Sequence, residues 1–108
     1  MKELTLYETI FLLAILRLPE NAYGVAIRGE VKKISGRDIP YGTLYSYLEQ
    51  LFKKGLVLKA FGAPTSERGG RSKIMYRVSP DGTEALKEAY RLQRSISFDL
   101  EQSVLKRA

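Results

Sequence analysis

The sequence predicts a mainly α fold with one small β-hairpin, in which three short helices precede a two-stranded hairpin and a long helix ends the chain. Three observations predict it. Apolar residues recur at helical spacing in four separate segments. Two short runs of strand-forming residues flank a loop rich in Gly, Pro and Ser, from Gly62 to Ser72. Finally, the charge is localised. Between Lys53 and Arg77 stand seven basic residues (Lys53, Lys54, Lys59, Arg68, Arg71, Lys73, Arg77) against one acid, Glu67, so this stretch alone carries +6, the formal net charge of the 108-residue chain.

The first helix begins at a capping box, Thr5-Leu6-Tyr7-Glu8, and is expected to run to about Arg17. Ile10, Phe11, Leu12, Leu13, Ala14, Ile15 and Leu16 coat nearly every face, so it must be central or else covered by a second subunit. Pro19-Glu20-Asn21 breaks it, and Asn21 is expected to cap a second helix carrying Gly24, Ile27, Val31 and Ile34 on one stripe. Gly24 there suggests a close backbone approach, although a glycine near a helix start needs no packing role. Ser35-Gly36-Arg37-Asp38 is the following turn, and Pro40 suits the first position of a third helix because no amide hydrogen is needed there.

In the third helix Leu44, Leu48 and Leu51 should face inward with Phe52 beside them and Tyr45 in the core, leaving Thr43, Ser46, Tyr47 and Gln50 outside. That outer face is polar without charge. Hydroxyl and amide side chains of this kind hydrogen-bond base edges and phosphates, whereas an ordinary solvent face carries more Glu and Lys. Gly55 closes the helix; Lys53 and Lys54 in its last turn fit either the helix dipole or a polyanion. The strand runs are Val57 to Phe61 and Lys73 to Val78, the second with Ile74, Tyr76 and Val78 on one face. Ser79 caps the terminal helix and Pro80 is its first residue. Its stripe, Leu86, Ala89, Gln93, Ile96, Leu100 and Val104, would extend about 40 Å if helical to Lys106, which no small globule covers alone; a second copy is the simplest partner.

Composition narrows the function. With no His and no Cys the chain lacks the usual imidazole base, the thiolate nucleophile and the ordinary zinc and iron ligand sets, so neither an enzyme, a metal site nor a cofactor is expected. The longest apolar run, Ile10 to Leu16, is seven residues against the roughly 20 that span a bilayer. A soluble, unprocessed cytoplasmic protein is the expectation, with no membrane partner and no disulfide framework.

Three helices, a two-stranded wing and a long terminal helix describe a winged helix-turn-helix plus long C-terminal helix. The motifs resemble those of the PadR family of bacterial transcriptional regulators. Tyr23-Gly24-Val25-Ala26-Ile27 is similar to the family's His/Tyr-Gly-Tyr-Glu-Ile segment, and Gly42-Thr43-Leu44-Tyr45 to its Gly-Thr-Leu-Tyr core. Leu48, Leu51, Gly55 and Leu56 follow at its intervals, and Gly70-Arg71-Ser72-Lys73 with Tyr76, Ser79 and Gly82 resembles its wing. Two positions depart, Pro40 standing where the family usually has a Ser cap and Ser46 where a Pro is common. The single terminal helix looks like the short-chain branch.

The resemblance implies a homodimer whose two recognition helices enter successive major grooves of double-stranded DNA, with the wings over the flanking backbone. Residues 1–79 would form the DNA-binding domain and residues 80–108 the dimerisation helix. Tyr41, Thr43, Ser46, Tyr47 and Gln50 are the expected helix contacts, and Arg68, Arg71 and Lys73 the expected wing contacts, because Gly69 and Gly70 let the backbone lie close to a duplex. The dimer would form through Leu86, Ala89, Gln93, Ile96, Leu100 and Val104. Tyr7, Tyr90 and Phe98 are available to line a small-molecule effector site between subunits, and a solid interface fits the sequence equally. Repression follows from family habit and small size. A protein-docking or RNA-binding winged helix is the rival; the basic wing counts against the first and the polar third helix against the second, since RNA's deep major groove does not admit a helix.

Overall fold

The computed structural model describes residues 3–61 and 74–106. Helix α1 (Leu6–Leu16) starts at the expected capping box. The Thr5 hydroxyl accepts the Glu8 amide hydrogen at 3.1 Å, and the Glu8 carboxylate accepts that of Thr5 at 2.9 Å. Phe11, Leu12, Ala14 and Ile15 are buried, and α1 touches every other major helix as well as the hairpin, so it is the central helix. Its cover is incomplete: Leu6, Leu13 and Leu16 are 65%, 40% and 49% exposed.

Helix α2 (Gly24–Ser35) buries Gly24, Ile27 and Val31 and ends at Gly36, whose φ of 76° is the left-handed conformation that glycine adopts without strain. Asn21 does not cap it. The N-cap is Tyr23 and makes no side-chain capping bond. Backbone pairing decides this: the Tyr76 amide donates to the Ala22 carbonyl at 2.9 Å and Tyr23 bridges to Met75, so residues 22–23 are drawn out as an extended segment against the hairpin.

Helix α3 (Tyr41–Lys53) places Leu44, Leu48 and Leu51 wholly inside, each leucine contributing about 1.5–3 kcal/mol of gross burial. Pro40 stands one place earlier than expected, as the N-cap. Phe52 is not in the core but 39% exposed, with the Lys59 ammonium 4.4 Å from its ring centre. The helix ends in a paired cap: Gly55 (φ 76°) donates to the Phe52 carbonyl and Leu56 to that of Leu51.

Strands β1 (Val57–Phe61) and β2 (Ile74–Val78) pair antiparallel, Val57 with Val78 and Phe61 with Ile74. Val57, Lys59, Phe61, Ile74, Tyr76 and Val78 therefore share a face. Its inner end is core, with Val57 and Tyr76 buried, and its outer end is bare, with Phe61 76% exposed.

Helix α4 (Pro80–Leu100) begins as the sequence predicts. Ser79 accepts from the Gly82 amide at 3.0 Å while its hydroxyl donates to the Gly55 carbonyl at 2.6 Å, tying the helix start to the end of α3. Gly82 makes a close approach, since a Cβ there would stand 2.2 Å from the Leu56 carbonyl oxygen. A π-helical turn (Glu101–Leu105) extends α4, and every residue from Tyr90 to Lys106 is exposed. The molecule is accordingly long, 59 × 28 × 22 Å. No described helix is long and apolar enough to cross a membrane.

Candidate nucleic-acid interface

Because Leu44, Leu48 and Leu51 pin one side of α3, helical geometry forces the residues between them outward. Thr43, Ser46 and Gln50 are exposed and line one side of an open groove whose other wall is the start of α1, Thr5 to Glu8. Tyr47 also lines this groove but is not free. It is half-buried, its ring stacked on Phe11 at 4.9 Å and 6.0 Å from Tyr7, so the aromatic ring belongs to the core's edge.

Tyr41 is 43% exposed, on another side of α3. Tyr45, expected in the core, is 47% exposed and lies alongside Tyr41, their ring centres 6.3 Å apart. The reason is Gly24: a Cβ at that position would be 2.2 Å from the Tyr45 hydroxyl, so the phenol lies across the start of α2 instead of entering the core. Arg28, one turn along α2, holds its guanidinium 4.5 Å from the Tyr41 ring centre. Two pairs spaced four apart, Gly24 with Arg28 and Tyr41 with Tyr45, thus match in opposite senses across the two helices. Leucine periodicity does not reveal this contact, which depends on how the two helices cross.

Structure also redistributes the basic charge. Lys54 reaches across to the buried Glu8 carboxylate and forms an ion pair with it. Burial, the largest single influence on Glu8, pushes its carboxyl upward, but the Lys54 ammonium and the Thr5 amide and hydroxyl outweigh it and hold the group below its ordinary value. Lys59 bonds Glu49 of α3 at 2.7 Å; that bond raises the Lys59 ammonium and lowers the Glu49 carboxyl. Two of the seven cations in the basic stretch are therefore matched to acids lying outside it. Lys53 and Arg77 are exposed. Arg68, Arg71 and Lys73 lie outside the described residues.

Along α4, Leu86 packs against the chain's own core and Ala89 is half-buried, whereas Gln93, Ile96, Leu100 and Val104 are exposed. Tyr90 and Phe98 flank a shallow cleft with Arg91, Arg94 and Ser95, and within one chain Tyr7 is elsewhere, beside Tyr47. The described residues contain no cluster of acidic side chains able to hold a metal ion.

Solved structures share this architecture. A PadR family transcription regulator from Clostridium difficile superposes with a TM-score of 0.72 at 23% identity, over 89% of this chain and 96% of that one. A PadR-like transcriptional regulator from Bacillus cereus gives 0.72 at 22% identity over 89% and 88%. A transcriptional regulator from Clostridium thermocellum gives 0.70 at 21% identity over 90% and 91%. At such identities the likeness establishes the mainly helical winged-helix fold. No curated protein matches the chain in sequence. The model of the transcriptional regulator PadR-like family matches residues 12–88, which include α2, α3, the hairpin and the start of α4. By this match over most of its length, the chain belongs to the PadR-like family of transcriptional regulators, a family of DNA-binding proteins and not of enzymes.

Proposed function

We propose that the chain is a homodimeric, cytoplasmic repressor that reads a two-fold DNA operator through α3. One observation carries this reading: the exposed side of α3 presents Thr43, Ser46 and Gln50, uncharged and hydrogen-bonding, on a helix that three buried leucines hold rigid. Tyr41 stands at its leading end, and Tyr47 contributes from the edge of the groove. Arg68, Arg71 and Lys73 grip flanking phosphates from the hairpin loop. Residues 1–79 form the DNA-binding unit. Residues 80–108 form the dimerisation helix, through Gln93, Ile96, Leu100 and Val104 with Leu86 and Ala89 at its base. Two such subunits place α3 helices at half-sites about 34 Å apart. A small-molecule effector at the dimer interface would fit beside α4, where a cleft of about 250 Å³ is lined by Leu4, Ala85, Ala89 and Leu92 together with Glu3, Glu88, Arg91 and Gln93.

The test is selection from a random duplex pool, followed by binding of the enriched duplex and of random duplex across a salt series. Enrichment of a two-fold sequence, with a steep salt dependence on both duplexes, is the expected result. Equal, weak binding to enriched and random DNA overturns the reading, and stronger competition by duplex RNA turns it toward RNA.

A further inference from the structure

We propose that Arg28, on α2, is the positioning residue for the recognition helix, fixing its first turn and through it the face that Thr43 and Ser46 present; this rests on the DNA-reading function above. Helix α3 starts without help of its own, because Pro40 is its N-cap and offers no side-chain capping bond. Burial holds only the core side of the first turn, through Ile39 and Leu44; on the side toward α2, Tyr41 and Tyr45 are 43% and 47% exposed.

One guanidinium replaces the cap. Arg28 Nε donates to the Ile39 carbonyl at 2.6 Å, Nη2 lies 2.9 Å from Asp38 Oδ1, and Cζ lies over the Tyr41 ring, 4.5 Å from its centre. The two residues before the cap and the one after it are thereby held at once, from a neighbouring helix. A planar fork can do this and an ammonium cannot, since the three N–H donors of Lys radiate from a single nitrogen, cannot reach two separated acceptors from this position and offer no flat face to stack on a ring. Tyr45 completes the arrangement by lying against Gly24, so α2 meets α3 at two points one turn apart.

Arg28→Lys keeps the charge and removes the fork. Hydrogen exchange of the free protein reads the clasp directly. Leu44 carries the first amide of α3 with a helical bond, donating to the Pro40 carbonyl at 3.0 Å. Its exchange, and that of Tyr45, should quicken in the variant about tenfold, while the Leu48 and Leu51 amides stay as protected as before. Preference for the duplex enriched by the wild-type protein over random duplex should fall about tenfold, with affinity for random DNA and its salt slope unchanged. Asp38→Ala leaves Arg28 in place, removes one hold, and should move both readouts the same way by less.

Unchanged exchange at Leu44 overturns the clasp. Lost protection throughout α3, Leu48 and Leu51 included, overturns it too, because Arg28 would then be a general fold contact. Faster exchange with intact preference overturns the link to recognition. A wild-type protein that enriches no sequence would instead overturn the DNA-reading function, and the exchange experiment would still decide the clasp.

Discussion

Helix α1 and the distal half of α4 both carry regularly spaced large apolar residues, and the fold treats them oppositely. Phe11 and Leu12 are fully buried and Ile15 is 2% exposed, whereas Ile96, Leu100 and Val104 are 46%, 52% and 56% exposed. The difference lies in length and surroundings. Helix α1 is short enough for α2, α3, the hairpin and the start of α4 to close around it. Helix α4 outruns the same body, and among the described residues its stripe past Ala89 stays exposed, from Gln93 through Ile96 and Leu100 to Val104. An apolar stripe thus reports that something covers it, and only the geometry of the surrounding elements says whether that cover comes from the same chain.

The comparison breaks if α1 can be hollowed without loss. Phe11→Ala removes a fully buried ring that also stacks on Tyr47, and should cost about 3–5 kcal/mol, read as a lowered urea midpoint. A loss below 1 kcal/mol would mean that the centre of the body is as loosely packed as its tail.

The next largest effect tests the polar part of the same core. Lys54→Met strips the ammonium from buried Glu8, which keeps only its bond from Thr5. The cost should be about 2–3 kcal/mol, toward the low end for a broken buried pair because Lys54 is itself 31% exposed. Acid sharpens the test. Glu8 is held below its ordinary 4.5, so the folded carboxyl is more acidic than the unfolded one. Its contribution to stability is complete above the unfolded value and is lost as pH falls through the folded one. Lys54→Met removes a group that holds the folded carboxyl acidic, so the folded value moves up toward the unfolded one and the stability lost between neutral and acid pH should be smaller in the variant than in the wild type. An acid-dependent loss as large as that of the wild type would remove the ion pair from the stability of this core.

Gly82→Ala probes where the body meets the tail. The added Cβ would lie 2.2 Å from the Leu56 carbonyl oxygen and 2.8 Å from Val78, forcing the start of α4 away and costing about 1–3 kcal/mol. Wild-type thermal stability in this variant would show that α4 docks more loosely than Ser79 and Gly82 imply.

Much of this was legible in the sequence where one periodicity dominates. The Thr5–Glu8 box, the three leucines of α3, the bounds of β1, and Ser79 followed by Pro80 all follow from local rules, and the structure places each as expected. Departures come where a contact between distant segments overrides a local preference. Asn21 loses the cap because residues 22–23 pair with β2, and Tyr45 is turned outward across Gly24. Lys54 and Lys59 look like part of one basic patch until Glu8 and Glu49, distant in sequence, arrive beside them. Of the candidate site, the outward set Thr43, Ser46 and Gln50 was readable from helical spacing. The half-burial of Tyr47 and the Arg28 contacts were not, because they depend on how α3 crosses its neighbours.

Leu100→Glu should have the smallest effect on the fold of the body and the largest on assembly. Leu100 is 52% exposed and lies outside the core cluster of the described residues, so a carboxylate there leaves the chain's own core intact. In a dimer built on the α4 stripe the same substitution puts two like charges at an interface from which water is excluded, and each would have to be buried without a partner. The expected outcome is a halved mass by light scattering with helical content retained. Binding to an enriched two-fold duplex should weaken far more than binding to random DNA, because the paired half-sites would no longer be bridged. Leu13→Glu is the contrast within the same comparison. Leu6, Leu13 and Leu16 form the uncovered strip of α1, and if that variant dissociates while Leu100→Glu remains dimeric, the second subunit rests on α1, and the bare end of α4 needs another explanation.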